Sequence, residues 1–166
     1  MENLWAPWRS AYILTDHKDR GCVFCHAVND CAEEDEKNLL VYRGRTCFCI
    51  LNKYPYSGGH VMVCPNEHTD DISSMAPDSM VEFMTMIGRT QAVLKKEMNP
   101  EGFNIGANFG KAAGAGIKGH FHMHIVPRWV GDVNFMSVTS DARVISMALN
   151  DVYKRIKCGM DSMYGL

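Results

Sequence analysis

Three histidines stand at alternate positions in the segment GHFHMHIVPRW, residues 119–129, of a chain of 166 residues that contains seven histidines. Side chains of a β-strand alternate between its two faces, so a strand over residues 120–128 would place His120, His122 and His124 on one face, about 7 Å apart. With a reference pKa of about 6.5, imidazole is largely neutral near pH 7 and can act as a metal ligand or a nucleophile. The row therefore predicts a reactive site, with unrelated surface histidines as the remaining interpretation.

The geometry of a single strand distinguishes two kinds of reactive site. Three imidazoles can hold a catalytic zinc ion with an open position for water, but tetrahedral ligands converge, whereas residues along one strand lie in a line. In phosphoryl or nucleotidyl transfer, the middle imidazole, His122, attacks phosphorus while its neighbours orient it and neutralise phosphate oxygens. The spacing favours this second chemistry and leaves the catalytic metal as an alternative.

A glycine-rich loop, GKAAGAGIKG at residues 110–119, precedes the histidine row. Gly114 and Gly116 would let the backbone approach an anion closely and offer it N–H groups, and Lys118 adds a positive charge. A flexible hairpin connection would explain the glycines as well. Beside three aligned histidines, the loop favours a phosphate group over a metal as the partner of the row.

The elements that must position these residues can be predicted from hydrophobic periodicity. Segments rich in β-formers lie at residues 39–42, 46–52, 60–65, 102–110 and 120–128. A long helix begins at Pro77 and stops before Pro100, and apolar residues over 144–156 indicate a closing helix. The polar stretch at residues 27–38 is interpreted as an exposed connection. This order of elements predicts an α+β fold with an antiparallel sheet of about five strands.

Length and composition fit a single domain. We divide residues 1–166 into an N-terminal extension over 1–38, a core over 39–136 and a C-terminal helix over 137–166. The net charge of −2 and the lack of Lys/Arg blocks argue against nucleic acid or a membrane surface as partners. Without a secretion signal or an apolar run near the roughly 18 residues of a membrane span, we expect a cytoplasmic protein. Seven cysteines, an odd number, then indicate reduced thiols or metal ligands.

The histidine row also matches a family signature. HFHMHIV at 120–126 fits the pattern H-φ-H-φ-H-φ-φ (φ apolar) of the histidine triad superfamily of nucleotide hydrolases and transferases, which the chain resembles. GGHVMVCPNEH at 58–68 is similar to that family's G-H strand and turn, and ILNKYPY at 50–56 to its nucleoside-binding strand. LWAPWR at 4–9, CVFC at 22–25, GAGIKGHFHMHIVPRW at 114–129 and GDVNFM at 131–136 resemble the branch of bacterial diadenosine tetraphosphate phosphorylases. The resemblance implies the histidine-triad fold and a twofold homodimer.

The resemblance further implies a covalent mechanism on dinucleoside polyphosphates. His122 would attack the α-phosphorus of a nucleotide to give a nucleotidyl-histidine, which water or inorganic phosphate then resolves. His124 would hydrogen-bond phosphate oxygens, and His60 would complete the catalytic cluster together with His120. Asn52 would contact the ribose. The phosphates would meet the glycine loop and its edge, namely Asn108, Gly114, Gly116 and Lys118.

One departure from the family pattern concerns the group that accepts the nucleotidyl unit, water or inorganic phosphate. Many hydrolase and phosphoramidase members carry Gln-Ser or Gln-Thr ahead of the triad, able to protonate the leaving group, where this chain has Gly116 and Ile117. The glycine leaves space for inorganic phosphate, so we expect phosphorolysis rather than hydrolysis. The alternatives are a nucleoside phosphoramidate hydrolase and a non-catalytic, zinc-containing nucleotide-binding protein.

Cys22 and Cys25 form a C-x₂-C pair, which is typical of half a zinc knuckle or of a redox pair. The resemblance implies a structural Cys₂His₂ zinc site completed by His68 and His120. In that case His120 is a ligand rather than a proton carrier, and zinc supports one end of the histidine strand. No organic cofactor is expected.

Overall fold

The computed structural model describes residues 21–117, 119–132 and 147–165. Lys118, the motif at 4–9, most of the motif at 131–136 and the first part of the predicted closing helix lie outside these ranges. Within them, five strands form one antiparallel sheet in the order β1-β2-β3-β5-β4. The strands are β1 (Leu40–Arg43), β2 (Cys47–Leu51), β3 (Val61–Pro65), β4 (Gly102–Gly106) and β5 (Met123–Arg128). The predicted α+β fold is confirmed.

The α-helices of the described ranges are α1 (Val23–Asn29), α2 (Asp35–Asn38), α3 (Pro77–Met98) and α4 (Leu149–Tyr164). α3 has the predicted bounds, because Pro77 suits a first turn and Asn99 ends the helix in the left-handed region, with φ 48°, just before Pro100. Single 3₁₀ turns lie at Ala32–Glu34, Ile72–Ser74 and Lys111–Ala113. Among the described helices, none is both long and apolar enough to cross a membrane.

β2 and β3 are buried along their whole length because helices cover both faces of the sheet centre. On one face, Sγ of Cys49 in β2 lies 3.1 Å from Oγ1 of Thr90 in α3. On the other face, the ring centroid of Phe48 in β2 lies 6.4 Å from that of Phe24 in α1. This packed centre carries the ends of β3 and β5, where histidines from the two segments meet.

Residues 27–38 are largely helical, so their interpretation as a connection was wrong, although six of these twelve residues are exposed as expected. Arg43 of β1 reaches back to this stretch and donates to the carbonyl oxygens of Ala27, Val28 and Asp30 at 3.2, 2.6 and 3.0 Å. Its guanidinium also pairs with the carboxylate of Asp35 at 2.6 Å. The polar residues therefore stand in helices and in an ion pair, which polarity alone does not distinguish from a loop.

The fifth strand begins at Met123 and not at His120, as the sequence had predicted. Its ladder with β3 starts at the pair Val63–Met123. Further along β3, the carbonyl of Pro65 accepts a hydrogen bond from the side chain of His120, at 2.9 Å from Nε2. Because His120 and His122 precede this strand, the three histidines do not stand on one regular strand.

Candidate active site

Two glycines with a left-handed backbone conformation occupy the turns that immediately precede the histidine segments. Gly59 has φ 75° directly before His60, and a Cβ there would lie 2.5 Å from the sulfur of a methionine in α3. Gly119 has φ 74° directly before His120, and a Cβ there would lie 3.0 Å from Nε2 of His68. Both conformation and space therefore favour glycine at these two turns.

His122, the predicted nucleophile, is held in one tautomer by the preceding histidine. Its Nδ1 lies 2.9 Å from the carbonyl oxygen of His120, and since a carbonyl only accepts, Nδ1 carries the proton. The lone pair is therefore on Nε2. His122 is only 5% exposed, and this burial lowers its pKa below the ordinary value and favours the neutral ring. A neutral imidazole with an available lone pair is the form that a nucleophile requires.

His60 and His124 form a second hydrogen-bonded pair, in which His60 Nε2 lies 2.9 Å from His124 Nδ1. The backbone N–H of Tyr56 donates to His60 Nδ1 at 3.1 Å, and Nδ2 of Asn52 lies 3.3 Å from the same atom. Because both of these groups are donors, His60 Nδ1 is an acceptor and neutral His60 carries its proton on Nε2. His60 therefore donates to His124 Nδ1, and His124 keeps its own proton on Nε2.

His122 and His124 are adjacent rings, one with a nucleophilic lone pair and the other with a hydrogen-bond donor. Their ring centroids are 4.9 Å apart and their planes are inclined at 74°. The hydrogen-bond network leaves a lone pair on one Nε2 and a donor N–H on the other. A phosphoryl group can use both at once, because its phosphorus accepts a nucleophile while its oxygens accept a hydrogen bond.

Both of these histidines line a cleft of about 500 Å³ that is open to solvent. Four of the predicted substrate contacts, Asn52, Asn108, Gly114 and Gly116, also line it, whereas Lys118 lies outside the described residues. Part of the Asn52 side chain is already engaged, since its Oδ1 accepts from a backbone N–H two residues later at 2.9 Å.

The same cleft is lined by aromatic and apolar side chains that were not predicted as site residues, namely Tyr54, Tyr56 and Met62. Both tyrosines belong to the short YPY segment between a strand and a glycine turn. Their location between Asn52 and His60 could have identified them from the sequence. A short turn between two site residues keeps its own side chains close to both of those residues.

A second cluster joins Cys22 and Cys25 of the α1 start to His68 and His120, and the ligand atoms of the four residues all lie within 4.8 Å of one another. His120 uses Nε2 to donate to a backbone carbonyl, so its Nδ1 lone pair faces Sγ of Cys22 at 3.3 Å. Sγ of Cys25 lies 3.2 Å from Nδ1 of His68. The structure thus brings together the four residues predicted as metal ligands.

The donor set of this cysteine–histidine cluster could hold a metal ion. Burial and a hydrogen bond with Cys22 raise the pKa of the Cys25 thiol above its ordinary value. Burial lowers the pKa of His120, so its ring is neutral and free to coordinate. A bound cation would offset the cost of forming thiolates in this setting, since thiolates coordinate metal and thiols do not.

His120 connects the two clusters. Its side chain belongs to the cysteine–histidine cluster, whereas its carbonyl oxygen accepts a hydrogen bond from His122 Nδ1–H. Phe24 of α1 packs between them, with its ring centroid 5.2 Å from that of His120 and 5.0 Å from that of His122. Among the described residues that line the cleft, His122 and His124 are present and His120 is not. The predicted row of three reactive imidazoles is therefore divided between two sites.

Comparison with known proteins identifies the family of the chain. The HIT domain family model matches residues 33–130. The AP-4-A phosphorylase of Mycobacterium tuberculosis is 33% identical over 156 residues, which cover 91% of this chain and 80% of that protein. A Zn-bound histidine triad family protein from Mycobacterium smegmatis has the same fold, with a TM-score of 0.65, 23% identity and coverage of 86% of this chain and 95% of that one. A hypothetical histidine triad nucleotide-binding protein from Sulfolobus tokodaii gives a TM-score of 0.66 at 24% identity, covering 87% and 97% of the two chains. The chain belongs to the histidine triad (HIT) family.

Proposed function

We propose that this protein is a nucleotidyl transferase or hydrolase that cleaves dinucleoside polyphosphates, with inorganic phosphate as the preferred acceptor. The observation that carries the proposal is the pairing, at one cleft, of a lone pair on His122 Nε2 with an N–H on His124 Nε2. The name of the Mycobacterium tuberculosis relative, AP-4-A phosphorylase, supports the substrate class.

The reaction proceeds in two displacements at the α-phosphorus. In the first, His122 Nε2 forms a bond to phosphorus while the P–O bond to the remaining phosphates breaks, and one nucleotidyl unit stays on the histidine. His124 Nε2–H donates to a phosphate oxygen and reduces the charge that opposes the attack. In the second, an acceptor oxygen bonds to phosphorus and the N–P bond breaks. Diadenosine tetraphosphate then gives ATP and ADP with phosphate, or ATP and AMP with water.

The residues ahead of the triad favour a phosphate leaving group over an amine. Gly116 and Ile117 line the cleft, and neither side chain can donate a proton. A departing nucleoside polyphosphate leaves as a stable anion and does not need a proton, whereas the amine of a phosphoramidate does. The cleft is thus better suited to polyphosphates. Because Gly116 has no side chain, it leaves room for inorganic phosphate as the acceptor of the nucleotidyl group.

The cysteine–histidine cluster is proposed to hold a structural zinc ion. Two thiolates and two imidazoles are a common ligand set for structural zinc, and the Mycobacterium smegmatis protein of the same fold is zinc-bound. Cys22 and Cys25 would tie α1 to His68, after β3, and to His120, before β5. A bound ion would supply this cross-link, while His120 continues to hold His122 through its carbonyl.

A homodimer in the cytoplasm is proposed as the working form. β4 lies at one end of the sheet with residues 104–106 exposed, and the apolar side chain of Ile105 is 44% exposed. Pairing with a second copy would cover such an edge. All seven cysteines lie within the described ranges as free thiols, which favours a reducing compartment. Light scattering of the purified chain tests the assembly, and a mass of one chain would contradict it.

Product analysis tests the proposed activity. Wild type, His122→Ala and His26→Ala are incubated with diadenosine tetraphosphate, with and without inorganic phosphate, and the nucleotides are separated by ion exchange. We expect ADP and ATP from wild type only when phosphate is present, and a loss of about 10³-fold or more in His122→Ala because the nucleophile is removed. His26 is the matched control, since its side chain is 68% exposed and it does not line the cleft.

The other outcomes separate the alternatives. ATP and AMP produced regardless of phosphate would make the protein a hydrolase. Turnover of an adenosine phosphoramidate but not of the tetraphosphate would move the assignment to phosphoramidates. Retention of a nucleotide without any turnover would leave a binding protein, and equal activity of His122→Ala and wild type would refute the proposed nucleophile.

A further inference from the structure

Tyr56 contacts the histidine pair with its ring. Its ring centroid lies 4.7 Å from that of His60, with an angle of 28° between the planes, which is a stacked arrangement. The same ring lies 5.9 Å from His124 with an angle of 39°. His60 and His124 are themselves 5.1 Å apart, so one tyrosine ring covers a hydrogen-bonded pair of imidazoles.

Tyr56 contacts the same pair with its backbone. Its N–H donates to His60 Nδ1 at 3.1 Å, and the Asn52 amide approaches that atom at 3.3 Å. Asn52 is oriented in turn by the backbone N–H of Tyr54, which donates to its Oδ1 at 2.9 Å. The turn between Asn52 and Tyr56 therefore presents two donors to one imidazole nitrogen and a ring to the imidazole face.

We propose that Tyr56 is a positioning residue for nucleotidyl transfer, whose ring and backbone N–H together set the plane and tautomer of His60 and thereby the proton on His124. This inference rests on the proposed function. The outer torsion of a histidine side chain is broad, so the rotamer alone does not set the ring plane. A stacked aromatic ring restricts that torsion, and the backbone N–H keeps the proton off Nδ1.

The consequence for the reaction lies in the alignment of one hydrogen bond. His60 Nε2–H must point at His124 Nδ1, now 2.9 Å away, for His124 to keep its proton on Nε2. If the His60 ring rotates, His124 can shift its proton to Nδ1, and its Nε2 then presents a lone pair to an anionic phosphate. Protein molecules with the proton on His124 Nδ1 bind substrate but react slowly. We therefore expect kcat to fall while KM changes little.

Kinetics of Tyr56→Leu, Tyr56→Phe and Tyr164→Leu test the role with diadenosine tetraphosphate and phosphate as substrates. Tyr164 is the matched control because it is a tyrosine that does not line the cleft, and its ring centroid lies 4.9 Å from the guanidinium carbon of Arg89. We expect Tyr56→Leu to lower kcat by about tenfold or more with KM within about twofold, since misalignment of a reacting group costs rate. Tyr56→Phe, which keeps the ring, should stay within about threefold of wild type, and Tyr164→Leu should keep its kcat.

Nitrogen NMR of the histidine-labelled full chain gives a readout that needs no turnover. At about pH 8, where imidazoles are neutral, His60 and His124 of wild type and Tyr56→Phe should both show the Nε2–H pattern. Tyr56→Leu should show signals averaged between the two tautomers. If Tyr56→Leu does not fold, Tyr56→Met provides similar volume without a ring and takes its place.

These results separate the inference from the function on which it rests. A wild type that turns over no nucleotide would refute the proposed function, while the NMR patterns would still decide what Tyr56 does to the imidazoles. Unchanged tautomers and unchanged kcat in the Tyr56→Leu protein would overturn the positioning role. Equal losses of kcat in Tyr164→Leu and Tyr56→Leu would do the same, because they would indicate a general effect of removing a tyrosine ring.

Discussion

Three cysteines lie in the core and take no part in either site. Burial raises the pKa of Cys47 and of Cys49 to about 12, and it also raises the pKa of Cys64 well above the ordinary value. Unfolded thiols ionise near pH 8.5. Between that pH and the folded pKa, the unfolded chain binds fewer protons than the folded one, so the free energy of unfolding falls as pH rises.

We therefore expect these thiols to leave the stability unchanged up to about pH 8 and to lower it above pH 8.5, by up to about 1.4 kcal/mol per pH unit for each buried thiol. Urea unfolding at about pH 7.5, 8.5 and 9.5 measures this slope. Cys64→Ala should make the slope shallower even though the variant is less stable overall. Cys158→Ala is the control, because Cys158 is exposed, and an identical slope in both variants would contradict the argument.

Single residues of the site differ in how far they could be predicted. The spacing of the histidines indicated that His122 and His124 act together, the glycine-rich loop indicated Gly114, and the resemblance to the histidine triad family implied Asn52; all four line the cleft. The protonation pattern could not be read from the spacing, since it depends on the carbonyls of Pro65 and His120 and on the N–H of Tyr56. These backbone groups carry no side-chain signal, and their positions follow only from the folded chain.

At the scale of elements, Arg43 joins α1 and α2 to the sheet. One guanidinium satisfies three carbonyl oxygens at the end of α1 and the carboxylate of Asp35. Those carbonyls are the acceptors that a helix end leaves without internal partners. The position of α1, and with it Cys22 and Cys25, thus depends on a side chain from β1.

Arg43→Ala should lower the free energy of unfolding by about 2–3 kcal/mol, because it leaves a largely buried carboxylate and several carbonyls without their donor. Arg43→Lys should recover little, since an ammonium group cannot reach all of these acceptors as the planar fork does. Chemical denaturation measures the difference. Arg45→Ala is the matched control: its side chain is 74% exposed and pairs with Glu82 at 3.6 Å, so a change below about 0.5 kcal/mol is expected. Similar losses in Arg43→Ala and Arg45→Ala would contradict this account.

Element positions were predicted well where the signal is local. α3 has its proline and its terminal asparagine in sequence, and β2 and β3 have continuous apolar runs. The helices at residues 23–38 and the late start of β5 depend instead on distant partners, Arg43 for the first and Pro65 for the second. Periodicity does not detect such contacts. The fourth strand, predicted over residues 102–110, also ends earlier, at Gly106.

At the scale of the whole molecule, the cysteine–histidine cluster draws its ligands from three separate parts of the chain. The purified protein should contain about one zinc ion per chain by elemental analysis, and Cys25→Ser should lose it. Removal by a chelator should lower the Tm by about 10 °C, because zinc binds the assembled cluster and not the dispersed ligands. Cys31→Ser is the control, since Cys31 is an exposed thiol outside the cluster. A protein without metal, or a Tm insensitive to chelation, would refute the zinc site.

The separation of these ligands along the chain has a consequence for the order of folding. Cys22 and His120 meet across 98 positions, and Cys25 and His68 across 43. Contacts between such distant residues form after local ones, because a long loop must be closed first. If the cluster assembles only after the rate-limiting barrier, an ion bound there slows escape from the native state and leaves the refolding rate nearly unchanged. The metal would then determine how long a folded molecule lasts rather than how quickly it forms.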